Sequence, residues 1–389
     1  MARVFKSITL SILAFALLFC GLQMKTISVV IAENEKDVDI SSKSAILMEY
    51  DSGEVLFSKD ECKRLPVASM VKMMTILLSL EELQEGNVAL DTKISTSENA
   101  AGMGGSQVFI DPFVEYSFED LLKSVIMASA NDASVALAEY FNGNEKAFTN
   151  RMNKRAKELG MKDTHYSNCT GLPAPEQYSS AKDTAILLKE ILKHEIYHNY
   201  STIWMDTLTH PSGRTTELVN TNRLIRYFKG CDGGKTGSTN EAGCCLGASA
   251  KRDDMRLISV IVGAENSKTR FNESASLLNF GFKNFESQKL ADVSKVIQNI
   301  PVLKGKIANI DVFASEDFSA VVKKGDVSNY QVDYEIEENI KAPTKAGDVV
   351  GKIIISKNGN LVKKIAAVVR EDVKPLSIFE TAKKVIHKW

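Results

Sequence analysis

The stretch Pro66-Val67-Ala68-Ser69-Met70-Val71-Lys72-Met73-Met74-Thr75 decides how the rest of this chain is read. It opens as a loop and continues into "MVKMMTILLSLEEL", which has helical spacing and neither glycine nor proline. Ser69 therefore falls at a helix start, and Lys72 follows on the same face. Free backbone N–H groups at a helix start can hold a developing oxyanion, and the helix dipole favours negative charge there. A lysine one turn along can take the serine proton if burial or a second cation lowers its pKa. Alone, this pair is more often a helix cap and a surface lysine.

Two further motifs supply support. "SFEDLLKSVIMASANDASVALAEYF" reads as two helices meeting near Ser129, so that Ser129 and Asn131 turn a hydroxyl and a carboxamide towards one cleft. In "CDGGKTGST", Lys235 would be the second cation and Thr236 a hydrogen-bond donor. Glycines on both sides, Gly237 among them, let a substrate backbone approach closely. The backbone N–H of Ser238 would complete an oxyanion hole with that of Ser69.

Around these motifs the chain alternates strands and helices. "SKSAILMEYDSGEVLFSKD" reads as two strands joined at Asp51-Ser52-Gly53, and "EAGCCLGASAKRDDMRLISVIVGAE" as a hairpin turning at Lys251 to Asp254. "RFNESASLLNFGFKNF" is an amphipathic helix. Early and late strands around a helical middle describe an α+β domain whose sheet pairs early and late segments. After 287 the pattern becomes short alternating segments divided by Gly, Asn and Lys, a small all-β module over 288–374.

The set S-x-x-K, S-x-N and K-T-G resembles that of the penicillin-recognising serine acyl-transferases. The longer likeness is to the low-molecular-mass penicillin-binding proteins, the serine-type D-alanyl-D-alanine carboxypeptidases. It is carried by "PVASMVKMMT", "AAGMGGSQVFI", "MASANDASVALAEY", "TGLPAPEQYSSAKD", "NTNRLI", "DGGKTGSTNEAG" and "RFNESASLLNFGF". The resemblance implies a β-lactamase/DD-peptidase-like sheet with helices on both faces across 33–287. It implies Ser69 as acylated nucleophile, Lys72 as general base, and Ser129 and Asn131 as proton relay and amide holder. Lys235 and Thr236 would position the terminal carboxylate, with Arg270 reading it from the far end of the strand. An Arg fork suits that group. No cofactor or metal is implied; the partners are peptidoglycan stem peptides and β-lactams. Ser238 and Gly234 depart from the family, which usually has bulkier residues there.

The ends and the composition bound the setting. Apolar residues make up 44% and charged residues 25%, and a net charge of −1 removes any global electrostatic case for nucleic acid. Arg3 and Lys6 precede an uncharged run from Ser7 to Met24, and Val30-Ile31-Ala32 suits a signal peptidase. We expect an export signal over 1–32. An uncleaved anchor is the alternative, and a lipoprotein site at Cys20 is disfavoured by bulky Phe19. The remaining Cys62, Cys169, Cys231, Cys244 and Cys245 read as small hydrophobes rather than a disulfide framework. Over 375–389, Leu376, Phe379, Ile386 and Trp389 with nearby lysines suit an amphipathic helix on a membrane surface, or one packed on the domain. The protein is thus expected at the extracytoplasmic face of the membrane.

One stretch points elsewhere. His194-Glu195-Ile196-Tyr197-His198 spells a zinc-protease motif. Ser201 and Trp204 stand where the short metzincin pattern needs Gly and His. Glu217, at another class's spacing, lies in a strand-like segment. Other readings within the fold are a transpeptidase and a class A-like β-lactamase, for which Glu176 is the nearest candidate base. Outside it stands a non-catalytic peptidoglycan-binding module, against which the intact motifs argue.

Overall fold

A computed structural model describes residues 38–325, 329–378 and 380. The expected export signal, and nearly all of the expected C-terminal helix, lie outside these residues. Five strands form one antiparallel sheet: β1 (Ser44–Glu49), β2 (Val55–Lys59), β7 (Cys231–Thr239), β8 (Gly243–Arg252) and β9 (Met255–Ala264), in the order β2-β1-β9-β8-β7. The intervening β3 (Lys93–Ser95) and β4 (Glu115–Ser117) pair with each other, as do β5 (Met205–Thr209) and β6 (Thr215–Val219).

Alternation along the strands feeds two cores. Ile46, Met48, Ile258 and Val260 face one core with the helix Lys72–Gln84. Ala45, Leu47, Leu257 and Ile261 face the other, against Leu277, Leu278 and Phe282 of the helix Ser267–Asn284. A sheet buried on both faces needs apolar residues at consecutive positions, as "SAILME" and "LISVIV" have. The helix Lys72–Gln84 is buried from Lys72 through Leu80. It is apolar all round because it runs through the domain.

Local signals mark the helix boundaries. Ser117, Ser180 and Asn266 each accept a hydrogen bond from the backbone N–H three residues on, capping the helices Phe118–Met127, Ala181–Ile191 and Ser267–Asn284. The helix Asn131–Asn142 ends at Gly143, whose φ of 76° is cheap for glycine.

The helix Ser267–Asn284 runs directly into a strand beginning at Phe285, so the expected boundary at 287 falls inside that strand. The C-terminal module holds a six-stranded and a two-stranded sheet. Its Val321 joins the second core of the larger sheet. Among the described residues no disulfide forms; Cys169 and Cys245 are buried, but Cys62 is exposed, so the small-hydrophobe reading fails for it.

Candidate active site

Ser69 sits in a single 3-10 turn, Ala68–Val71, that leads into the helix Lys72–Gln84. Ala68 has φ 49°, and Gly171 presses against its carbonyl: a Cβ on Gly171 would lie 2.1 Å from the Ala68 oxygen. The turn is therefore clamped from behind by the segment after Cys169.

Lys72 Nζ lies 3.0 Å from Ser69 Oγ and 2.6 Å from the Thr170 carbonyl oxygen. The lysine is fully buried and forms no ion pair among the described residues. Burial therefore lowers its pKa to about 7, against smaller opposing effects of Cys169 and Asp132. Near neutral pH the amine can act as a base.

Ser129 occupies the turn between the helices Phe118–Met127 and Asn131–Asn142, at φ 61°. That left-handed conformation costs a non-glycine residue about 1–3 kcal/mol and turns the side chain towards the cleft. Its Oγ is buried with no partner. Asn131 donates from Nδ2 to the Gly104 carbonyl at 2.6 Å and from its backbone N–H to the Ser106 carbonyl at 2.7 Å, leaving Oδ1 buried and unpaired. Asp132 accepts from the N–H groups of Val108 and Ile110. Together these two residues bring Ser106 to the cleft.

Edge strand β7 forms the opposite wall. A Cβ on Gly237 would fall 2.4 Å from the Val67 carbonyl oxygen and 3.1 Å from Ser69 N. Only glycine lets the strand pass this close to the Ser69 turn. Lys235 is 1% exposed, and burial, then Lys72 and Arg270, push its pKa well below the usual lysine value. Arg270 Nη1 donates to the Gly237 carbonyl at 3.0 Å, and its Nε is buried and unpaired.

Ser69, Ser106, Ser129, Thr236, Gly237, Ser238 and Arg270 line one cleft of about 590 Å³. Trp204, Val219, Asn220, Thr221, Arg223, Tyr227 and Ser267 complete its lining, and no carboxylate does. The site is therefore electropositive and has three unpaired buried polar atoms, Ser129 Oγ, Asn131 Oδ1 and Arg270 Nε, near the hydroxyl–amine pair. This suits an anionic acyl substrate.

Residue order did not single out Thr170, Gly171, Ser106 or Arg223, although all four lie in stretches that carry the family likeness. A backbone carbonyl has no spelling, which explains Thr170. Gly234 has a structural reason for departing from the family pattern. Its φ is 130°, and a Cβ there would lie 2.1 Å from the Gly247 carbonyl oxygen.

Glu176 is exposed and is not part of the cleft lining. His194 sits at the N-cap of the helix Glu195–Ser201, and Glu195 is exposed. His198 Nε2 is already engaged by the Leu192 carbonyl and Arg256 Nη1. Glu217 lies on β6.

The family model described as D-alanyl-D-alanine carboxypeptidase matches residues 30–266, and that for the penicillin-binding protein 5 C-terminal domain matches 285–375. The D-alanyl-D-alanine carboxypeptidase DacF of Bacillus subtilis is 40% identical over 349 residues, 90% of this chain and 90% of that protein. Penicillin-binding protein 5 of Haemophilus influenzae is similar in structure with a TM-score of 0.70 and 33% identity, over 86% of this chain and 98% of that one. Penicillin-binding protein D2 of Listeria monocytogenes, solved with ampicillin bound, has a TM-score of 0.56 and 29% identity, over 63% of this chain and 98% of that one. With its serine and arginine on one cleft, two lysines buried beside them and its C-terminal β module in place, this chain belongs to the D-alanyl-D-alanine carboxypeptidase family of serine peptidases.

Proposed function

We propose that this D-alanyl-D-alanine carboxypeptidase works through an acyl-enzyme on Ser69, formed with the stem pentapeptide of peptidoglycan. The observation that carries the reading is the 3.0 Å approach of a fully buried lysine amine to a serine hydroxyl at a helix start. Lys72 Nζ takes the proton of Ser69 Oγ, and Oγ attacks the carbonyl carbon of the penultimate D-alanine. The oxygen that becomes negative is held by the N–H groups of Ser69 and Ser238. As the C–N bond breaks, the leaving amine receives a proton from Lys72 through Ser129. Water then attacks the ester, with the same base, and frees the shortened peptide.

Asn131 holds the substrate amide. Lys235, Thr236 and Arg270 take the terminal carboxylate, a group that an exo-acting enzyme must read. β-Lactams, which present an acyl carbon and a carboxylate in similar relation, acylate the same serine. The exposed position of Glu176 gives no support to a class A-like base.

The catalytic domain runs from 33 to the end of the helix at Asn284 and the β module from Phe285 to 374, with the expected helix over 375–389 on the membrane surface after export directed by 1–32. No helix among the described residues is long and apolar enough to cross a membrane. A fluorescent penicillin should label the purified soluble domain, and Ser69→Ala should abolish labelling; a labelled Ala variant would refute the nucleophile. Mass spectrometry of a pentapeptide digest should show loss of one alanine, whereas cross-linked product alone would identify a transpeptidase. Deleting 376–389 should release the protein from membranes; retention would point to an N-terminal anchor.

A further inference from the structure

The zinc-like stretch His194–His198 has no part in this reaction, yet the helix that follows His194 grips the strand carrying Lys235. The Tyr197 side chain is buried, and its hydroxyl accepts from the Gly234 N–H at 2.9 Å. Ser201 Oγ donates to the Asp232 carbonyl at 2.7 Å. From the other side, Asn222 Nδ2 donates to the Gly233 carbonyl at 3.1 Å, and Arg256 pairs with the Asp232 carboxylate at 2.7 Å.

These contacts fall on three consecutive residues, Asp232 to Gly234, where β7 slips its register against β8. A bulge re-aims the side chain that follows it and leaves backbone groups that the ladder does not pair. Gly234, just past the bulge, is back in register with Ala248, but β7 is an edge strand, and Tyr197 takes the Gly234 N–H that β8 does not. The fit is close: a Cβ on Gly233 would lie 2.8 Å from the Tyr197 ring.

Lys235 comes next. It is fully buried, and its recorded polar contact is a long 3.3 Å hydrogen bond to the carbonyl of its own neighbour, Thr236. No carboxylate pairs with it among the described residues, and Lys72 and Arg270 both repel it. Side-chain partners therefore do not place this amine. Its backbone must, and that backbone is gripped by the helix.

We propose that the helix Glu195–Ser201 is a brace that aims Lys235 into the cleft, with Tyr197 as its positioning residue. The inference rests on the assignment of Lys235 to the carboxylate site. Loss of the Tyr197 hydroxyl leaves the Gly234 N–H buried and unpaired, so the bulge relaxes and Lys235 withdraws from both Lys72 and the substrate carboxylate.

Tyr197→Phe tests this, with Tyr200→Phe as control. Tyr200 lies on the same helix, is also buried, and donates to Glu119 Oε1 at 2.9 Å, away from β7. Tyr197→Phe loses a 2.9 Å bond from the Gly234 N–H and a long 3.4 Å one to its carbonyl, and Tyr200→Phe a 2.9 Å bond to a carboxylate, so their melting temperatures should fall comparably. Tyr197→Phe alone should lower kcat/KM for a D-Ala-D-Ala peptide about tenfold. The loss should appear chiefly as a raised KM for a peptide ending in a free carboxylate, the group that Lys235 holds, with kcat changed less. Ser201→Ala, a milder change, should show the same KM increase to a smaller degree and decides the matter if Tyr197→Phe does not fold. Equal activity loss in the two tyrosine variants, or a reduced rate at unchanged KM, would overturn the brace. Failure of the underlying reading shows separately, as penicillin labelling that survives in Ser69→Ala.

Discussion

Lys72 Nζ is closer to the Thr170 carbonyl oxygen, at 2.6 Å, than to Ser69 Oγ, at 3.0 Å. A carbonyl only accepts, so one N–H of the amine stays aimed at Thr170 in either protonation state. When the amine is neutral, this fixed bond helps to turn its lone pair towards the serine hydroxyl. The carbonyl orients the base without charging it. An acidic partner would have raised the lysine pKa instead.

The first consequence concerns pH. Because burial holds Lys72 at a pKa of about 7, kcat/KM for peptide and for penicillin acylation should rise with pH and level off above that value. A rate profile measured between about pH 5 and 9 checks this. Lys72→Arg keeps a cation that cannot lose its proton and should reduce acylation by at least about a thousandfold. A profile that is flat through neutrality would contradict the assignment of the base.

The same burial has a stability consequence. Lys72 has a pKa of about 7 in the folded chain and its usual 10.5 when unfolded, so between those values the unfolded state binds more protons. Folding stability should therefore increase as pH rises from 7 towards 10, and the cost at neutral pH is a few kcal/mol. Lys72→Met should be inactive, more stable than the parent at pH 7, and should show a weaker pH slope in thermal melts. A variant less stable than the parent at pH 7 would show that the amine contributes to the fold.

Gly171 supports the Ser69 turn by its small size. It has φ 81°, and an added Cβ would overlap the Ala68 carbonyl, which is rigid backbone. Gly171→Ala should destabilise the protein by about 1–3 kcal/mol and slow penicillin acylation more than it weakens peptide binding. Acylation at the parental rate in a folded variant would show that the turn does not depend on this contact.

Arg270→Ala removes two things together: the bond to the Gly237 carbonyl, and a cleft-lining guanidinium whose Nε is buried and unpaired. Charge-assisted hydrogen bonds contribute about 1.5–3 kcal/mol, so Arg270→Ala should raise KM for a D-Ala-D-Ala peptide ten- to a hundredfold. Penicillin acylation should fall less, because strain in its ring supplies part of the driving force. Equal effects on both would exclude Arg270 as the reader of the peptide terminus.

Much of the site was legible in the residue order because its chemistry depends on short spacings. Ser69 and Lys72 share one helical turn, Ser129 and Asn131 share one helix junction, and Lys235 to Ser238 are consecutive in a strand. The apolar runs that read as the strands β1 and β9 were equally local. Distant contacts were not legible. Thr170 meets Lys72 through a backbone atom, and Arg223 reaches the cleft from the start of a single helical turn far along the chain from Ser69. The histidine pair shows the converse. Its spelling is that of a metal motif, but His194 is an N-cap residue, and the tyrosine between the pair makes the contact with β7.

Residue order alone therefore identified which hydroxyl, amines and guanidinium were available, since motif spacing is a property of the local chain. Whether the Lys72 amine is charged, whether β7 can pass against the Ser69 turn, and where Lys235 is aimed were decided by folding. Each of these depends on solvent exclusion and backbone contact between segments far apart in the chain, and those exist only after the sheet and its two cores have closed.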